Sequence, residues 1–172
     1  MIKAIVYQSD TGFTKKYAMM LMEKTGLPSI TLQEAKKVLQ SKDQIIYLGW
    51  VLANTISGYK KANRKYLIRA IGAVGLAESG EECQEVLKKQ NKTAEKPLFY
   101  MTGGLDKSKQ KGIKKFMFSM FVKYTVQKIN KKEISEITDE ETKNIYCLQH
   151  GCDFVSLENL QDFIKWYGKN KE

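Results

Sequence analysis

The chain has 172 residues, a hydrophobic fraction of 42%, a charged fraction of 28% and a formal net charge of +10. This length suits one domain with a single core, so we predict one domain over residues 1–172. The apolar runs fall short of the ~18–20 residues that a membrane-spanning helix needs. The first residues follow a strand pattern rather than the plan of a signal peptide. These features argue against an integral membrane protein and predict a cytoplasmic one.

Apolar runs rich in β-branched residues alternate with helical patterns along the chain, which is typical of a parallel sheet covered by helices on both faces. The predicted strands are at 2–7, 29–32, 44–49, 71–77 and 97–102. The predicted helices are at 12–24, 34–39, 58–70 and 81–90, and a last helix follows a cap formed by Ser156 and Asn159. We therefore predict an α/β three-layer sandwich whose five-stranded parallel sheet has the order 2-1-3-4-5.

The cysteines number three, Cys83, Cys147 and Cys152, which is too few for a disulfide framework. We expect reduced thiols, as in the cytosol. Cys147, His150 and Cys152 match no common zinc motif, and His150 is the single histidine of the chain. We therefore predict no metal site, and the single histidine also argues against a hydrolase with a Ser/His/Asp or Cys/His arrangement.

The positive charge is concentrated after the fifth strand. Residues 105–132 contain nine lysines and one acidic residue, Asp106, for a net charge of +8. Apolar residues recur there at helical spacing, namely Ile113, Phe116, Met117, Met120, Phe121 and Tyr124. Two interpretations stay open: a core helix with a solvated lysine face, and a surface helix that contacts anionic lipid through 107–132, with Phe118 and Val122 at the interface. No nucleic-acid motif accompanies the patch, so we expect no nucleic acid partner.

The turn after the first strand carries the strongest functional pattern in the chain. Its residues are Ser9, Asp10, Thr11, Gly12, Phe13 and Thr14, and we call it the 9–14 loop. Hydroxyls, a glycine and free backbone N–H groups at the start of a helix form an anion site, and a phosphate monoester is the natural ligand. Neither a Walker loop nor a dinucleotide fingerprint is present. The alternative is an ordinary helix cap, for which one hydroxyl would suffice.

The predicted topology points to the same place. In the order 2-1-3-4-5 the strand order reverses between the first and third strands, and ligands bind outside the carboxyl ends of the strands at such a switch point. The loops that end there would enclose a flat ring system. Beyond the 9–14 loop they supply Trp50, Val51, Leu52, Ala53 and Asn54 after the third strand, and Val74, Gly75, Leu76 and Ala77 after the fourth. Trp50 is a candidate ring contact, and the alternative is an aromatic cover for the core.

The pattern [ST]-x-T-G-x-T directly after the first strand resembles the FMN phosphate loop of flavodoxins, and Ala18 matches the family's alanine four residues beyond the last threonine. The whole chain is similar to the flavodoxin-like menaquinone-dependent protoporphyrinogen dehydrogenase group. The shared features are the 49–54 loop followed by Gly58 and Tyr59, and the segment 99–105 with its basic extension. The resemblance implies a single flavodoxin-like domain with a basic insertion at about 105–150, and an FMN cofactor that reacts at or near a membrane quinone.

Three functions follow as hypotheses. The first is an FMN-dependent oxidoreductase that passes hydrogen from a reduced substrate to a quinone, located at the inner face of the cell membrane. The second is a soluble flavodoxin-type electron carrier with a protein redox partner, and the third is an interaction domain that binds no flavin. The cofactor carries the chemistry, so we predict no catalytic residue and interpret Asp10 and Asn54 as loop structure.

Overall fold

The computed structural model of the chain describes residues 1–76, 80–93, 95–106, 108, 122, 127 and 138–171. The chain divides into two compact units. The first comprises Met1–Gly103 and Val155–Glu172, and the second comprises Gly104–Phe154. The basic insertion predicted at about 105–150 falls within the second unit.

The first unit is built on a six-stranded sheet. Its strands are β1 (Ala4–Gln8), β2 (Ser29–Thr31), β3 (Gln44–Leu52), β4 (Thr55–Ile56), β5 (Leu67–Gly75) and β6 (Leu98–Thr102). The parallel strands lie side by side in the order β2-β1-β3-β5-β6, and β4 pairs antiparallel with the end of β3. The sheet therefore differs from the predicted five-stranded sheet by the unpredicted strand β4, which forms a hairpin with β3.

Helices cover both faces of this sheet. α1 (Phe13–Thr25) and α6 (Gln161–Asn170) pack on one face, while α2 (Leu32–Val38), α3 (Tyr59–Lys65) and α4 (Glu81–Asn91) pack on the other; α5 (Asp139–His150) belongs to the second unit. Side chains alternate between the two faces along each strand. In β3, Leu48 joins the core under α1, whereas Tyr47 joins the opposite core. The predicted α/β arrangement of a parallel sheet between two helical layers is confirmed.

The predicted boundary between α3 and β5 was wrong. The helix predicted at 58–70 ends before Tyr66, whose N–H donates to Ala62 O at 2.8 Å. β5 begins at Leu67 rather than at residue 71, because the Leu67 N–H donates to Asp43 O at 2.9 Å and so extends the ladder with β3. Pairing with a neighbouring strand overrides the local helical pattern here.

The predicted cap of the last helix was also wrong. A short 3-10 turn over Glu158–Leu160 precedes α6, and Leu160 is the N-cap residue. The side chain of Asn159 donates instead to Tyr17 Oη at 2.6 Å and to Thr102 O at 3.3 Å. This polar contact fastens the approach to α6 onto α1 and onto the end of β6, so a tertiary hydrogen bond replaces the local cap.

The second unit contains α5 and two short antiparallel strands, β7 (Gly104–Leu105) and β8 (Cys152–Asp153). Cys147 of α5 forms a disulfide with Cys152 of β8. The expectation of reduced thiols was therefore wrong for this pair, whose Cα atoms the turn at Gly151 brings to 5.1 Å. Cys83, in the first unit, is a free thiol.

The apolar stripe predicted over 113–124 and the lysines around it lie outside the described residues, apart from the half-buried Val122. Whether this stripe contacts lipid or a core stays a prediction. Among the helices that the structure describes, none is both long enough and apolar enough to cross a bilayer.

Gly49 is a position where the fold leaves no room for a side chain. A Cβ added there would lie 2.6 Å from Ser57 O and 2.7 Å from Ile56 Cγ2, because β4 folds back across β3. We expect Gly49→Ala to lower the free energy of unfolding by about 1–3 kcal/mol, measured by urea denaturation. The matched control is Gly168→Ala in α6, where no described atom lies within 4 Å of the added Cβ. That change should raise stability by up to about 1 kcal/mol, and equal losses in both variants would contradict the close approach.

Candidate anion-binding site

The register of the sheet brings three strand ends to one edge. Gln8, the last residue of β1, pairs with Gly49 of β3, and Trp50 of β3 pairs with Val74 of β5. β1 and β5 therefore end beside residues 49–50 of β3, which itself continues through Leu52. This is the edge that the sequence predicted for a ligand, because the strand order reverses between β1 and β3.

The 9–14 loop folds around the hydroxyl of Ser9. Ser9 Oγ accepts hydrogen bonds from the Gly12 N–H at 3.2 Å and the Lys15 N–H at 3.4 Å. Gly12 is the N-cap residue of α1 and has a φ of 107°, a backbone conformation that side chains disfavour. Two backbone donors therefore converge on one oxygen atom at the start of a helix.

The first turn of α1 offers further positive potential. Phe13 and Thr14 are its first residues, and N–H groups at the start of a helix have no intrahelical acceptor. The partial positive charge of the helix dipole acts at the same place. Lys15 and Lys16 follow directly and are exposed. The pattern-based prediction missed these two lysines, although the sequence places them immediately after the loop.

The predicted loop residues differ in accessibility. Ser9, Thr11 and Gly12 are half-buried and Asp10 is exposed. Thr14 is only 1% exposed, and Phe13 packs in the core under α1. The accessible part of the loop is thus formed by residues 9–12, and it includes one acidic side chain, that of Asp10.

The segment after Gly49 is a hairpin rather than the predicted loop. β3 continues through Leu52, and a turn at Ala53 and Asn54 leads into β4. Both turn residues have positive φ, 45° and 56°, as a two-residue turn of type I′ requires. The hairpin tip is open to solvent, and the Leu52 side chain is 64% exposed.

The candidate ring contacts fall on two faces of the sheet. Val74 belongs to the core under α1. Trp50 follows Leu48 of the same core at the two-residue period of a strand, so it faces the α1 side as well. Val51 packs against the opposite core. The structure therefore places Trp50 and Val74 on the side where α1 begins, and it places Val51 on the other side.

Asn91 holds the hairpin in place, and the sequence-based prediction missed it. Its side chain is buried: Oδ1 accepts from the Ile56 N–H at 2.8 Å, and Nδ2 donates to Asn54 O at 2.8 Å and to Leu87 O at 2.9 Å. The spacing of Cys83, Leu87 and Asn91 at i, i+4 and i+8 is the signal that could have placed Asn91 on the inner face of α4.

Ser57 ties the exit of the hairpin to the end of β1. Its carbonyl accepts from Tyr47 Oη at 2.6 Å, and its hydroxyl accepts from Gln8 Nε2 at 3.0 Å. Burial raises the pKa of Tyr47 above its ordinary value, so its hydroxyl remains a proton donor to Ser57 over the whole physiological pH range. The bond from Gln8 joins the exit of the hairpin to β1, the strand from which the 9–14 loop departs, and the bond from Tyr47 joins it to β3.

The carboxyl end of β5 packs closely against the residue that follows β6. The Gly103 N–H donates to Gly75 O at 2.7 Å, and a Cβ added at Gly103 would lie 2.7 Å from Val74 Cγ1. Leu76 is half-buried, and the predicted site residue Ala77 lies outside the described residues. Val74 and Gly75 are therefore at the predicted edge, with the glycine after β6 packed against them.

A groove of about 720 Å³ opens elsewhere on the first unit. It is lined by Glu85, Lys88, Lys89, Lys92, Glu95, Lys96, Pro97, Leu98 and Phe99. Pro97 precedes β6, so this groove lies at the amino edge of the sheet, opposite the 9–14 loop. Lys88 and Lys89 lie in the last turn of α4 and Lys92 is its C-cap residue, where positive charge offsets the negative end of the helix dipole. The backbone donors that converge on Ser9 Oγ lie at the opposite, carboxyl edge.

No protein-family model matches the chain, and no curated protein matches it. Within the described ranges, no cluster of three or more His, Cys, Asp and Glu side chains is arranged to hold a metal ion. The functional assignment therefore depends on the geometry of the site and on the sequence pattern.

Replacing Asn91 tests whether it holds the hairpin. We expect Asn91→Ala to lower the free energy of unfolding by about 2 kcal/mol, because buried backbone groups of Ile56 and Asn54 lose their partners. Hydrogen exchange at the Ile56 amide should accelerate more than exchange in β1. Gln90→Ala, an exposed neighbour on the same helix, is the control and should change neither quantity. Unchanged exchange at Ile56 in Asn91→Ala would contradict the role.

Proposed function

We propose that the protein binds FMN with its phosphate on the 9–14 loop and acts in electron or hydride transfer, as a flavodoxin-like flavoprotein. The observation that carries the proposal is the convergence of the Gly12 and Lys15 N–H groups on Ser9 Oγ. A phosphate oxygen is an acceptor of the same kind with more negative charge. A phosphate would accept from these donors after a small displacement of the serine hydroxyl, or alongside it.

The chemistry of the loop favours a terminal phosphate group. A phosphate monoester carries close to two negative charges at neutral pH, and backbone donors at a helix start bind such an anion well. Lys15 and Lys16 add cationic charge beside it. Trp50, half-buried on the α1 side of the sheet, supplies aromatic surface for a ring system at this edge, whereas Val74 is buried in the core. FMN combines a terminal phosphate with a flat ring.

When bound, FMN supplies the redox chemistry, and this chain's residues bind and orient it. In the proposed arrangement the 9–14 loop holds the phosphate and the β3–β4 hairpin provides the adjoining wall. Asn91 and Ser57 fix that hairpin through the hydrogen bonds described above.

We further propose that the electron acceptor is a membrane quinone, as in the protoporphyrinogen dehydrogenase group that the sequence resembles. The net charge of +8 on residues 105–132 supports this part of the proposal. A basic segment of this kind brings a protein to an anionic membrane surface, where quinones are found. The reduced substrate is a small molecule or a protein redox partner.

The phosphate contact is tested by Ser9→Asp. The new carboxylate can accept the two N–H groups and suits a helix start, so the fold should be retained at pH 7. The same negative charge should exclude a phosphate. A hydrogen bond to a charged group contributes about 1.5–3 kcal/mol, so the loss of two such bonds to the phosphate should weaken FMN binding about a hundredfold or more. The affinity is measured by quenching of flavin fluorescence. Riboflavin, which lacks the phosphate, should bind both proteins equally and more weakly.

Ser41→Asp is the matched control, because it makes the same charge change in the turn after α2, at the other edge of the sheet. It should leave FMN binding unchanged. If wild-type protein binds FMN no more tightly than riboflavin, the loop does not hold the phosphate. If it binds neither, the chain is an interaction domain of a different class.

The membrane part of the proposal is tested by vesicle sedimentation. Each lysine near an anionic surface contributes about 1 kcal/mol, so changing Lys114, Lys115 and Lys123 to Gln should abolish most binding to anionic vesicles. Wild-type binding should weaken as salt rises, because the Debye length is ~8 Å at physiological ionic strength. Lys36, Lys37 and Lys42 changed to Gln form a control of equal charge outside the basic segment. A folded, FMN-loaded protein that does not sediment with anionic vesicles would indicate a soluble electron carrier instead.

A further inference from the structure

The disulfide between Cys147 and Cys152 plays no part in the proposed FMN site, and its surroundings indicate a use of its own. The two cysteines enclose four residues, 148–151, and belong to the second unit. Stabilisation by a cross-link grows with the length of the loop that it closes. A loop this short gains little from closure, so folding stability is a weak reason for this bond.

The backbone holds the two cysteines together independently of the bond. The Gly151 N–H donates to Cys147 O at 2.8 Å and ends α5, and Gly151 has a φ of 88° that reverses the chain. Cys152 is then held in β8 by its pairing with Leu105 of β7. Because these backbone contacts do not depend on the disulfide, the two thiols should stay close to each other after reduction. Their closeness favours rapid re-formation of the disulfide.

The two cysteine residues differ in exposure. Cys147 is 3% exposed, whereas Cys152 is half-buried. An incoming thiolate must reach the sulfur that it attacks. The geometry therefore makes Cys152 the sulfur that is attacked and Cys147 the sulfur that leaves.

We propose that Cys147 and Cys152 form a reversible dithiol–disulfide site that exchanges two electrons with thiols of low molecular mass. In the reducing direction, a small thiolate attacks Cys152 Sγ and forms a mixed disulfide with it. The bond between the two protein sulfurs breaks, and its electron pair leaves on Cys147 Sγ, which takes up a proton. A second small thiolate then attacks the sulfur of the first and releases the Cys152 thiolate, which is protonated, and a small-molecule disulfide. One protein disulfide is thereby reduced by two thiols, which are oxidised, and the reverse steps restore it.

Cys83 provides an internal comparison. It lies in the first unit as a free thiol, and burial raises the pKa of that thiol, which lowers its thiolate fraction at neutral pH. It should therefore react slowly under conditions in which the Cys147–Cys152 pair exchanges.

The first test uses the folded full chain in buffers with different ratios of reduced to oxidised glutathione. Exchange is stopped with acid, the protein is denatured, its thiols are alkylated and the chain is cut with trypsin. The mass of the peptide 144–165, which contains both cysteines, is then measured. We expect two alkyl groups on this peptide in reducing buffer. In oxidising buffer we expect no alkyl groups on the peptide, and we expect its mass to be lower by two hydrogen atoms than that of the unmodified dithiol peptide. A peptide that stays fully alkylated in oxidising buffer would overturn the proposal, as would a bond that is reduced only after denaturant unfolds the chain.

The second test uses the paired variants Cys147→Ser and Cys152→Ser, which remove the same bond. With oxidised glutathione, Cys147→Ser should accumulate a mixed disulfide on Cys152 in most molecules, whereas Cys152→Ser should form little on the buried Cys147. Equal trapping in both variants would overturn the assigned direction of attack. The first test needs no variant, so it decides the reversible couple even if either variant fails to fold. Neither test requires FMN, so failure here leaves the proposed FMN site untouched.

Discussion

The central constraint in this structure is the position of β3 between β1 and β5. All three strands run parallel, and Gln8 pairs with Gly49 while Trp50 pairs with Val74. β1 and β5 therefore end beside residues 49–50 of β3, just before β3 turns into its hairpin with β4. The start of α1, the β3–β4 hairpin and the end of β5 all take their positions from this alignment. Because Gly49 has no side chain, β4 and Ser57 can approach β3 closely, and the hairpin can fold back across β3.

The electrostatic character of this edge comes from backbone geometry more than from charged side chains. The N–H groups that converge on Ser9 Oγ are aligned by a helix start, so they need little reorganisation to donate hydrogen bonds to an anion. The groove of about 720 Å³ on the first unit is lined by glutamates as well as lysines, and Lys88 Nζ lies 2.8 Å from Glu85 Oε1. Aligned backbone dipoles on one side of a closely packed edge form the better site for a compact dianion.

Much of this arrangement could be predicted from the sequence, and the rest depends on contacts between distant residues. Alternation of apolar strands and helices predicted the layers, and the anion site at the hydroxyl-rich turn after β1 stays a prediction. The β3–β4 hairpin was missed because its turn uses Ala53 and Asn54 instead of the usual glycine. Asn91 was missed, and Asn159 was assigned to a helix cap, because the partners of both side chains are distant in sequence. The Cys147–Cys152 bond requires the turn at Gly151, which cysteine counting does not reveal.

The central claim is that a phosphate monoester takes the Gly12 and Lys15 N–H groups as its hydrogen-bond donors. The most direct measurement is a titration of the amide proton shifts of uniformly labelled protein with FMN and, separately, with riboflavin. The account predicts that the Gly12 and Lys15 amide protons move strongly downfield with FMN and little with riboflavin, while amides near Trp50 respond to both. Saturation with FMN that leaves the Gly12 and Lys15 amides unmoved would contradict it.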